Sequence, residues 1–551
     1  MAWSPPIDLS GAFDRLKVGA TDAAQQDPCG LQLALRVRPL VSPPAWRPGW
    51  KQGPFALGPI RNIALRAHGE TLPTWADLQD FLDDQLARWP EIHLGLRLYT
   101  RTAVEGYLDA HELLEAQTGP MRLVAEDPDM PVGASALLTA WTPVYESDAG
   151  TVREVRKLRL GAARPPGPGE RRWADVAVRV AARMPGRPAP ARLRAVEIGL
   201  VDGSFEVLFD GTPAYADAAW QAGTRGHVLA LVDATATDPG YSCGSCKAGG
   251  VCDRPVPVDG MLGTTGPGNG TRAVSPSHMT IYGRCPAQWL LRHEVHLPQE
   301  QFGGGDALAR GTAVHEWLHT AHDRGTPCTA GDLPDPDAGA GIGLAAGVMD
   351  DDTYRLARPY LLAHVGLCPL AAPGAAHARS EELVVGYDAT ADVMVNNKPD
   401  LLYRLGDRLV VRETKTTEKA MPQDREEAYD RWPQVAWALA LLRSGLAARD
   451  GATGGRVELE VLTAGGGQMF TWATDEPGVP QMAAGDVRRA VAGWHTDTDW
   501  PTNPAPHCAF CPVRRWCPDR DTHALGPAPA PGSPEAAAVA EFTATDDDPP
   551  F

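Results

Sequence analysis

The sequence predicts an α/β protein built from two tandem copies of one fold, because four segments recur in the same order and with matching spacing. The clearest of them is a C-x2-C-x5-C pattern that occurs twice. The matched pairs are residues 29–36 with 285–292, 152–156 with 411–415, 172–177 with 431–436, and 243–252 with 508–517. We therefore predict two domains, residues 1–255 and 275–520, joined at 256–274 by a linker rich in Gly, Pro and Thr.

Length and composition set further bounds. A chain of 551 residues with 43% hydrophobic residues is long enough for two or three domains with large cores. No stretch is apolar enough to suggest a membrane span, and residues 1–6 do not resemble the start of a signal peptide. Ten cysteines and no secretion signal favour metal binding in a reducing cytoplasm. The net charge of −18 argues against a general nucleic-acid binder, so any DNA contact must use local basic surface.

Residues 400–415 predict a β-hairpin that turns at Gly406-Asp407. Side chains alternate along a strand, so Glu413 and Lys415 share one face, and Asp400 begins the neighbouring strand close to them. Two carboxylates suit Mg2+ or Mn2+, which prefer oxygen ligands. The Lys415 ammonium can position a water and stabilise the charge that grows on a phosphate. The alternative is that Glu413 and Lys415 form a solvated pair on an exposed strand.

A predicted helix contains His315, Glu316 and His319 in the pattern H-E-x-x-H. This pattern is typical of zinc metallopeptidases, in which both histidines bind zinc and the glutamate is the general base. The extended peptidase motif is absent, because His322 stands where its glycine should be and Gly325 where its third histidine should be. The peptidase is therefore the less favoured hypothesis.

The second half resembles a known family over about residues 275–520. The order of Cys285, His315, Asp400, Glu413-x-Lys415, Gln434 and the last three cysteines resembles the RecB/AddB-type branch of the PD-(D/E)XK nucleases, which has an iron–sulfur staple. The resemblance implies that each copy has a central mixed sheet flanked by helices. It also implies that His315, Asp400 and Glu413 bind Mg2+ or Mn2+, and that Asp400, Glu413, Lys415 and Gln434 are catalytic.

The same resemblance implies hydrolysis of phosphodiester bonds in DNA, in repair, recombination or defence. An exonuclease acting on single strands or frayed ends is favoured, because no base-reading motif is visible. The sequence contains no G-x4-G-K-[ST] loop, so a helicase partner would be a separate chain.

Two sets of four cysteines are predicted to bind metal. The second cysteine set is Cys285, Cys508, Cys511 and Cys517, and the first cysteine set is Cys29, Cys243, Cys246 and Cys252. Each set links the beginning of a copy to its end and would act as a staple. The resemblance implies a 4Fe-4S cluster in the second set, although zinc would accept the same spacing. For the first set, iron–sulfur and zinc both stay open. Cys328 and Cys368 are expected to be ordinary buried or loop residues.

The first copy lacks the predicted catalytic residues, and we expect it to be an inactive scaffold or DNA-binding copy. The replacements are Arg156 for Lys415, Asp175 for Gln434 and Ala136 for Asp400, and no histidine aligns clearly with His315. Residues 153–194 form a block rich in Arg and Lys. This block could follow a phosphate backbone, or it could be a solvated helix face followed by an Arg-Pro loop.

Residues 521–551 predict a disordered tail with an acidic tip. Asp546, Asp547, Asp548 and Phe551 resemble the C-terminal tip of bacterial single-stranded-DNA-binding proteins. That resemblance implies docking on the repair and replication proteins that bind such tips, with a basic rim for the acids and a pocket for the Phe ring. A second functional hypothesis follows, in which the protein is a cluster-stapled DNA-binding adaptor that recruits repair proteins through this tip.

Overall fold

The structure is a computed structural model. It describes residues 16–520 except for 26–28, 40, 42–54, 71, 73, 134–135, 234–235, 250, 272, 301–304 and 339–340. The predicted acidic tip, Asp546–Asp548 with Phe551, therefore lies outside the described residues. In the described part of the chain, no helix is both long and apolar enough to cross a membrane.

The first half alternates helices with eight strands. Its elements are β1 Leu16–Gly19, α1 Ala20–Ala24, α2 Gly30–Arg36, α3 Leu57–Gly69, α4 Trp75–Ala87, α5 Leu94–Thr118, β2 Met121–Ala125, β3 Asp129–Val132, β4 Ala136–Thr139, β5 Val144–Ser147, β6 Val152–Arg159, α6 Pro168–Ala182, β7 Arg192–Gly199, β8 Phe205–Gly211, α7 Pro213–Ala219 and α8 Arg225–Asp233.

The second half follows the same alternation. Its elements are β9 Val256–Pro257, β10 Ala273–Val274, α9 Pro276–Arg284, α10 Pro286–Trp289, α11 Asp306–Asp323, α12 Asp351–Val365, β11 Ala375–Ser380, β12 Val384–Asp388, β13 Val393–Asn397, β14 Leu401–Leu405, β15 Arg408–Thr416, α13 Arg425–Arg431, α14 Gln434–Leu441, α15 Ala447–Arg449, β16 Gly454–Thr463, β17 Gly466–Ala473 and α16 Val479–Thr496.

Both halves contain a five-stranded mixed sheet with the same topology. The strand orders are β2-β5-β6-β7-β8 and β11-β14-β15-β16-β17. In each sheet the third and fourth strands are parallel and every other neighbouring pair is antiparallel. The predicted α/β class, with mixed sheets flanked by helices, is confirmed. The equal strand orders are what a repeated fold would produce.

A smaller sheet accompanies each of these and also has matching topology. In the first half β4 pairs with β1 in parallel and with β3 antiparallel. In the second half β13 pairs with β10 in parallel and with β12 antiparallel, and β9 adds one further strand beside β12. Strands β9 and β10 lie in the segment predicted to be a linker, so that segment contributes structure to the second half.

The two halves pack directly on one another through one continuous hydrophobic core. The Tyr99 ring of α5 meets Trp516 edge-to-face, with ring centroids 4.8 Å apart. A Cβ on Gly95 would lie only 2.7 Å from the carbonyl oxygen of Trp516, so this contact requires glycine. The start of α5 therefore packs closely against Trp516, the residue before Cys517.

The local predictions that place the site are confirmed. The predicted hairpin is β14 and β15, which pair antiparallel from Leu405 and Arg408 outward, with Gly406 at a φ of 62° in the turn. The helix predicted around His315 is α11, and the apolar helix predicted around Trp437 is α14, which begins immediately after Pro433. Pro433 suits this position because proline is tolerated at a helix start.

Candidate active site

The hairpin brings the two predicted carboxylates together. Asp400 immediately precedes β14, and the pairing of Leu401 with Arg412 places it opposite Glu413. The backbone N–H of Thr414 donates to Asp400 Oδ2 at 2.6 Å. Lys415 lies two residues beyond Glu413 on the same strand face, with Nζ 3.4 Å from Glu413 Oε2.

Helix α11 adds His315 to this group. His315 Nδ1 lies 3.2 Å from Asp400 Oδ1. His315, Asp400 and Lys415 are each partly exposed, whereas the Glu413 side chain is 8% exposed. Four of the predicted site residues thus meet where the middle of α11 lies beside the start of β14 and the end of β15, and solvent can reach them.

The electrostatics of the group reflect this crowding. Burial raises the pKa of Glu413 to about 7, and the nearby Asp400 carboxylate reinforces the shift. Burial alone would also raise the pKa of Asp400, but the positive charges of His315 and Lys415 hold it well below its usual range. Burial opposes protonation of His315 and Lys415, yet Asp400 outweighs it and raises the pKa of both. The two carboxylates compete for positive charge.

The donor set fits a hard divalent cation. Two crowded carboxylates and one imidazole are ligands that Mg2+ or Mn2+ accepts, and a cation would relieve their repulsion. In this structure Asp400 is satisfied by His315 and by the Thr414 amide. His315, Asp400 and Glu413 are not gathered as tightly as the ligands of a single ion in the described structure. A bound cation would therefore replace the hydrogen bond between His315 and Asp400.

Gln434 is the first residue of α14, which packs against β15 and β16. Its side-chain Oε1 is buried and has no hydrogen-bond partner. A buried acceptor without a partner is costly, so this oxygen is available to a donor that the protein itself does not supply. Trp437 on the same helix is 2% exposed and belongs to the core.

The contacts of the two histidines in the H-E-x-x-H pattern disfavour the peptidase hypothesis. His315 faces Asp400, whereas His319 Nε2 lies 3.7 Å from Asp323 and its side chain is 43% exposed. The two histidines of the H-E-x-x-H pattern are therefore directed to different partners.

The thiols of the second cysteine set line one cavity. Burial, and then the neighbouring thiols of the set, raise the pKa of Cys511 to about 12. The thiols of the first cysteine set also lie near one another: burial, and then the neighbouring thiols, raise the pKa of Cys246 to about 12 and that of Cys243 to about 11. All eight thiols are free. In the described structure, no three sulfur atoms of either set all lie within 4.8 Å of one another.

Strand register corrects one predicted replacement in the first copy. In the first copy Tyr145 pairs with Glu154, and in the second copy Asp400 lies opposite Glu413 in the same way. Ala136, the predicted counterpart of Asp400, lies instead on β4 of the small sheet. Tyr145 therefore occupies the position of Asp400, and its hydroxyl bonds to Tyr107.

In the first copy, a buried ionic network surrounds Glu154, the counterpart of Glu413. Arg156 donates to Glu154 Oε1 at 2.8 Å, and Arg194 donates to Glu154 Oε2 at 2.7 Å. The Arg156 guanidinium also lies 3.8 Å from the centre of the Tyr145 ring. His111 of α5 stands beside it, accepting from Arg156 Nη1 at 2.7 Å. Glu154, Arg156 and Tyr145 are fully buried, so neither a cation nor a phosphate can reach Glu154.

We expect the first copy to stay inactive even when its lysine is restored. Arg156→Lys in a Lys415→Ala background should not recover DNA cleavage, because the counterpart of Asp400 is a tyrosine and Arg194 still occupies Glu154. Nuclease assays on the single and double variants measure this, and regained cleavage in the double variant would contradict it. Arg156→Ala should lower the free energy of unfolding by about 3–5 kcal/mol, since it leaves a buried carboxylate incompletely paired.

The basic block at 153–194 is engaged mainly within the protein. Arg153 pairs with Glu146, Lys157 and Arg159 pair with Glu197, and Arg179 and Arg183 pair with Asp217. Arg192 pairs with Asp210. Most of these charges are neutralised by internal carboxylates, which favours a structural role for the block over a track for phosphates.

A further cluster was missed by the sequence analysis. His322, Cys328, His364 and Cys368 are all buried, and one ligand atom from each lies within 4.8 Å of the others. Cys328 and Cys368 were expected to be ordinary residues. The sequence contains a signal, since His322 precedes Cys328 by six residues and His364 precedes Cys368 by four, but nothing in it indicates that the two pairs meet.

Comparison with known proteins adds one decisive observation. Residues 273–518 match the family model of the PD-(D/E)XK nuclease superfamily. The match begins at β10, ends just after Cys517, and contains His315, Asp400, Glu413 and Lys415. For this part of the chain the similarity supports a metal-dependent nuclease. No curated protein matches the chain.

Proposed function

We propose that the PD-(D/E)XK half is a Mg2+- or Mn2+-dependent DNA exonuclease of the RecB/AddB type. The observation that supports this proposal is the convergence of His315, Asp400, Glu413 and Lys415 at one end of the β14–β15 hairpin. The first half is an inactive copy that packs against it. The enzyme would act in DNA repair, recombination or defence.

Each side chain has a defined part in this proposal. Asp400 and Glu413 are the carboxylates that would hold the cation, and His315 is the third ligand. When bound, the cation supplies Lewis acidity at the scissile phosphate. The Lys415 ammonium, fixed beside Glu413, stabilises the negative charge that develops on the phosphate oxygens. Gln434, whose Oε1 has no partner, accepts a hydrogen bond from the incoming nucleic acid or a water.

The second cysteine set would hold a 4Fe-4S cluster, and the first set a second cluster or a zinc ion. Four thiols around one cavity support this, with Cys285 buried and the other three partly buried, because their charged forms need a metal partner. A single tetrahedral zinc would draw its sulfurs to about 3.8 Å from one another. The described sulfurs of neither set are gathered this closely as a group, and iron analysis with visible absorbance distinguishes zinc from a cluster.

The proposed activity is tested on end-labelled linear single strands, linear duplexes and closed circular DNA, with Mg2+, Mn2+ or EDTA. We expect metal-dependent release of short products from linear substrates and no cutting of circles. Glu413→Gln, which keeps the shape of the side chain and removes its charge, should be inactive. Cutting of circular DNA would reject exonuclease action, and DNA binding without cleavage by the wild type would favour the adaptor hypothesis.

A further inference from the structure

We propose that His322, Cys328, His364 and Cys368 form a structural zinc site within the second half. This site is separate from the candidate active site and from both cysteine sets. The zinc would connect the end of α11, the segment after it, the end of α12 and the turn that follows. We call these four residues the His-Cys cluster.

The spacing of the ligand atoms fits one tetrahedral zinc. With Zn–N of about 2.0–2.1 Å and Zn–S of about 2.3 Å, two nitrogens lie about 3.3 Å apart and a sulfur and a nitrogen about 3.6 Å apart. His322 Nε2 lies 3.2 Å from His364 Nε2. Cys368 Sγ lies 4.0 Å from His322 Nε2. The four atoms are thus already arranged around a common centre.

The donor chemistry also selects zinc. Two thiolates and two imidazoles in tetrahedral arrangement are typical of Zn2+, whereas Mg2+ and Ca2+ prefer oxygen ligands. His322, Cys328, His364 and Cys368 are each no more than 5% exposed. Both cysteines are free thiols rather than a disulfide. A buried site of four protein ligands leaves no open position, so its role is structural and not catalytic.

A carboxylate outside the cluster orients one ligand. Glu460 on β16 lies 2.8 Å from His364 Nδ1. When Nδ1–H donates to this carboxylate, the His364 Nε2 lone pair faces the centre of the cluster. A carboxylate that fixes a histidine in this way is a recurrent feature of zinc sites.

The His-Cys cluster is connected to the candidate active site through short contacts. Glu460 Oε2 accepts from the Thr414 hydroxyl at 3.1 Å, and the Thr414 amide donates to Asp400. His322 lies two turns beyond His315 on α11, about 10 Å along the helix axis. The zinc would therefore hold in place both the helix of His315 and the strand between Glu413 and Lys415. This consequence, unlike the zinc site itself, rests on the proposed nuclease function.

Metal analysis tests the site without an activity assay. We expect the wild-type chain to contain one zinc that is lost in Cys328→Ser/Cys368→Ser, with iron content unchanged and a lower melting temperature. Cys511→Ser and Cys246→Ser are the matched controls and should keep this zinc. Equal zinc content in the wild type and the double variant would overturn the proposal, as would iron in place of zinc at this site.

A second measurement uses only the wild-type protein, so it holds even if the variants do not fold. Cobalt exchanged into the zinc site should give the visible absorption bands of tetrahedral thiolate coordination. In the native protein, Cys328 and Cys368 should be protected from alkylation until a zinc chelator is added. A Cys328–Cys368 disulfide, or rapid alkylation without chelator, would overturn the proposal.

Discussion

Lys415→Ala is expected to reduce metal-dependent DNA cleavage by about 10^2–10^3-fold or more, the cost of removing one preorganised charge from a reacting centre. The ammonium is held beside Glu413, with Nζ 3.4 Å from Glu413 Oε2. The variant should nevertheless bind Mn2+ at least as well as the wild type. The reason is that removing a positive charge from between two carboxylates increases their attraction for a cation.

Asp400→Asn provides the contrasting result. It removes a proposed ligand and should lose both Mn2+ binding and cleavage. Calorimetric titration with Mn2+, together with single-turnover cleavage, separates the two variants. Arg408→Ala is the matched control, because Arg408 lies at the other end of β15 and pairs with Asp475 on the surface. Cleavage by Lys415→Ala at the wild-type rate would reject the assignment of Lys415.

Cys511→Ser is expected to remove the iron of the second cysteine set, which is half of the total if the first set also holds a cluster, and to destabilise the protein. The second cysteine set joins Cys285 to residues that follow more than two hundred positions later, so the staple restricts a very long loop. By analogy with a disulfide that closes such a loop, its loss should cost on the order of 5 kcal/mol. The effect should reach the first half as well, because Trp516 beside Cys517 packs against Tyr99.

Iron analysis, visible absorbance and urea unfolding of anaerobically purified protein measure this effect. Cys246→Ser is the matched variant, which should lose the metal of the first set and leave the second set loaded. Wild-type protein that contains stoichiometric zinc in both sets and shows no visible absorbance would contradict the iron–sulfur assignment.

The local sequence predicted a strand face, a turn and the two cysteine sets. Alternation placed Glu413 and Lys415 on one strand face, Gly406-Asp407 identified the turn, and cysteine spacing identified both cysteine sets. Each of these depends on backbone periodicity or on residues close together in the chain, which constrain geometry before any tertiary contact forms. The equal order of matched segments also anticipated the equal strand orders of the two large sheets.

The tertiary structure decided what sequence matching could not. Strand register, and not similarity of neighbouring residues, placed Tyr145 where Ala136 had been expected, because pairing depends on the partner strand. Internal carboxylates neutralised the basic block through contacts such as Arg179 with Asp217. The sequence by itself determined the strand face and spacing of the predicted nuclease residues. Only packing between distant elements decided that His322 and His364 meet, since α11 and α12 are brought together by burial of their apolar faces.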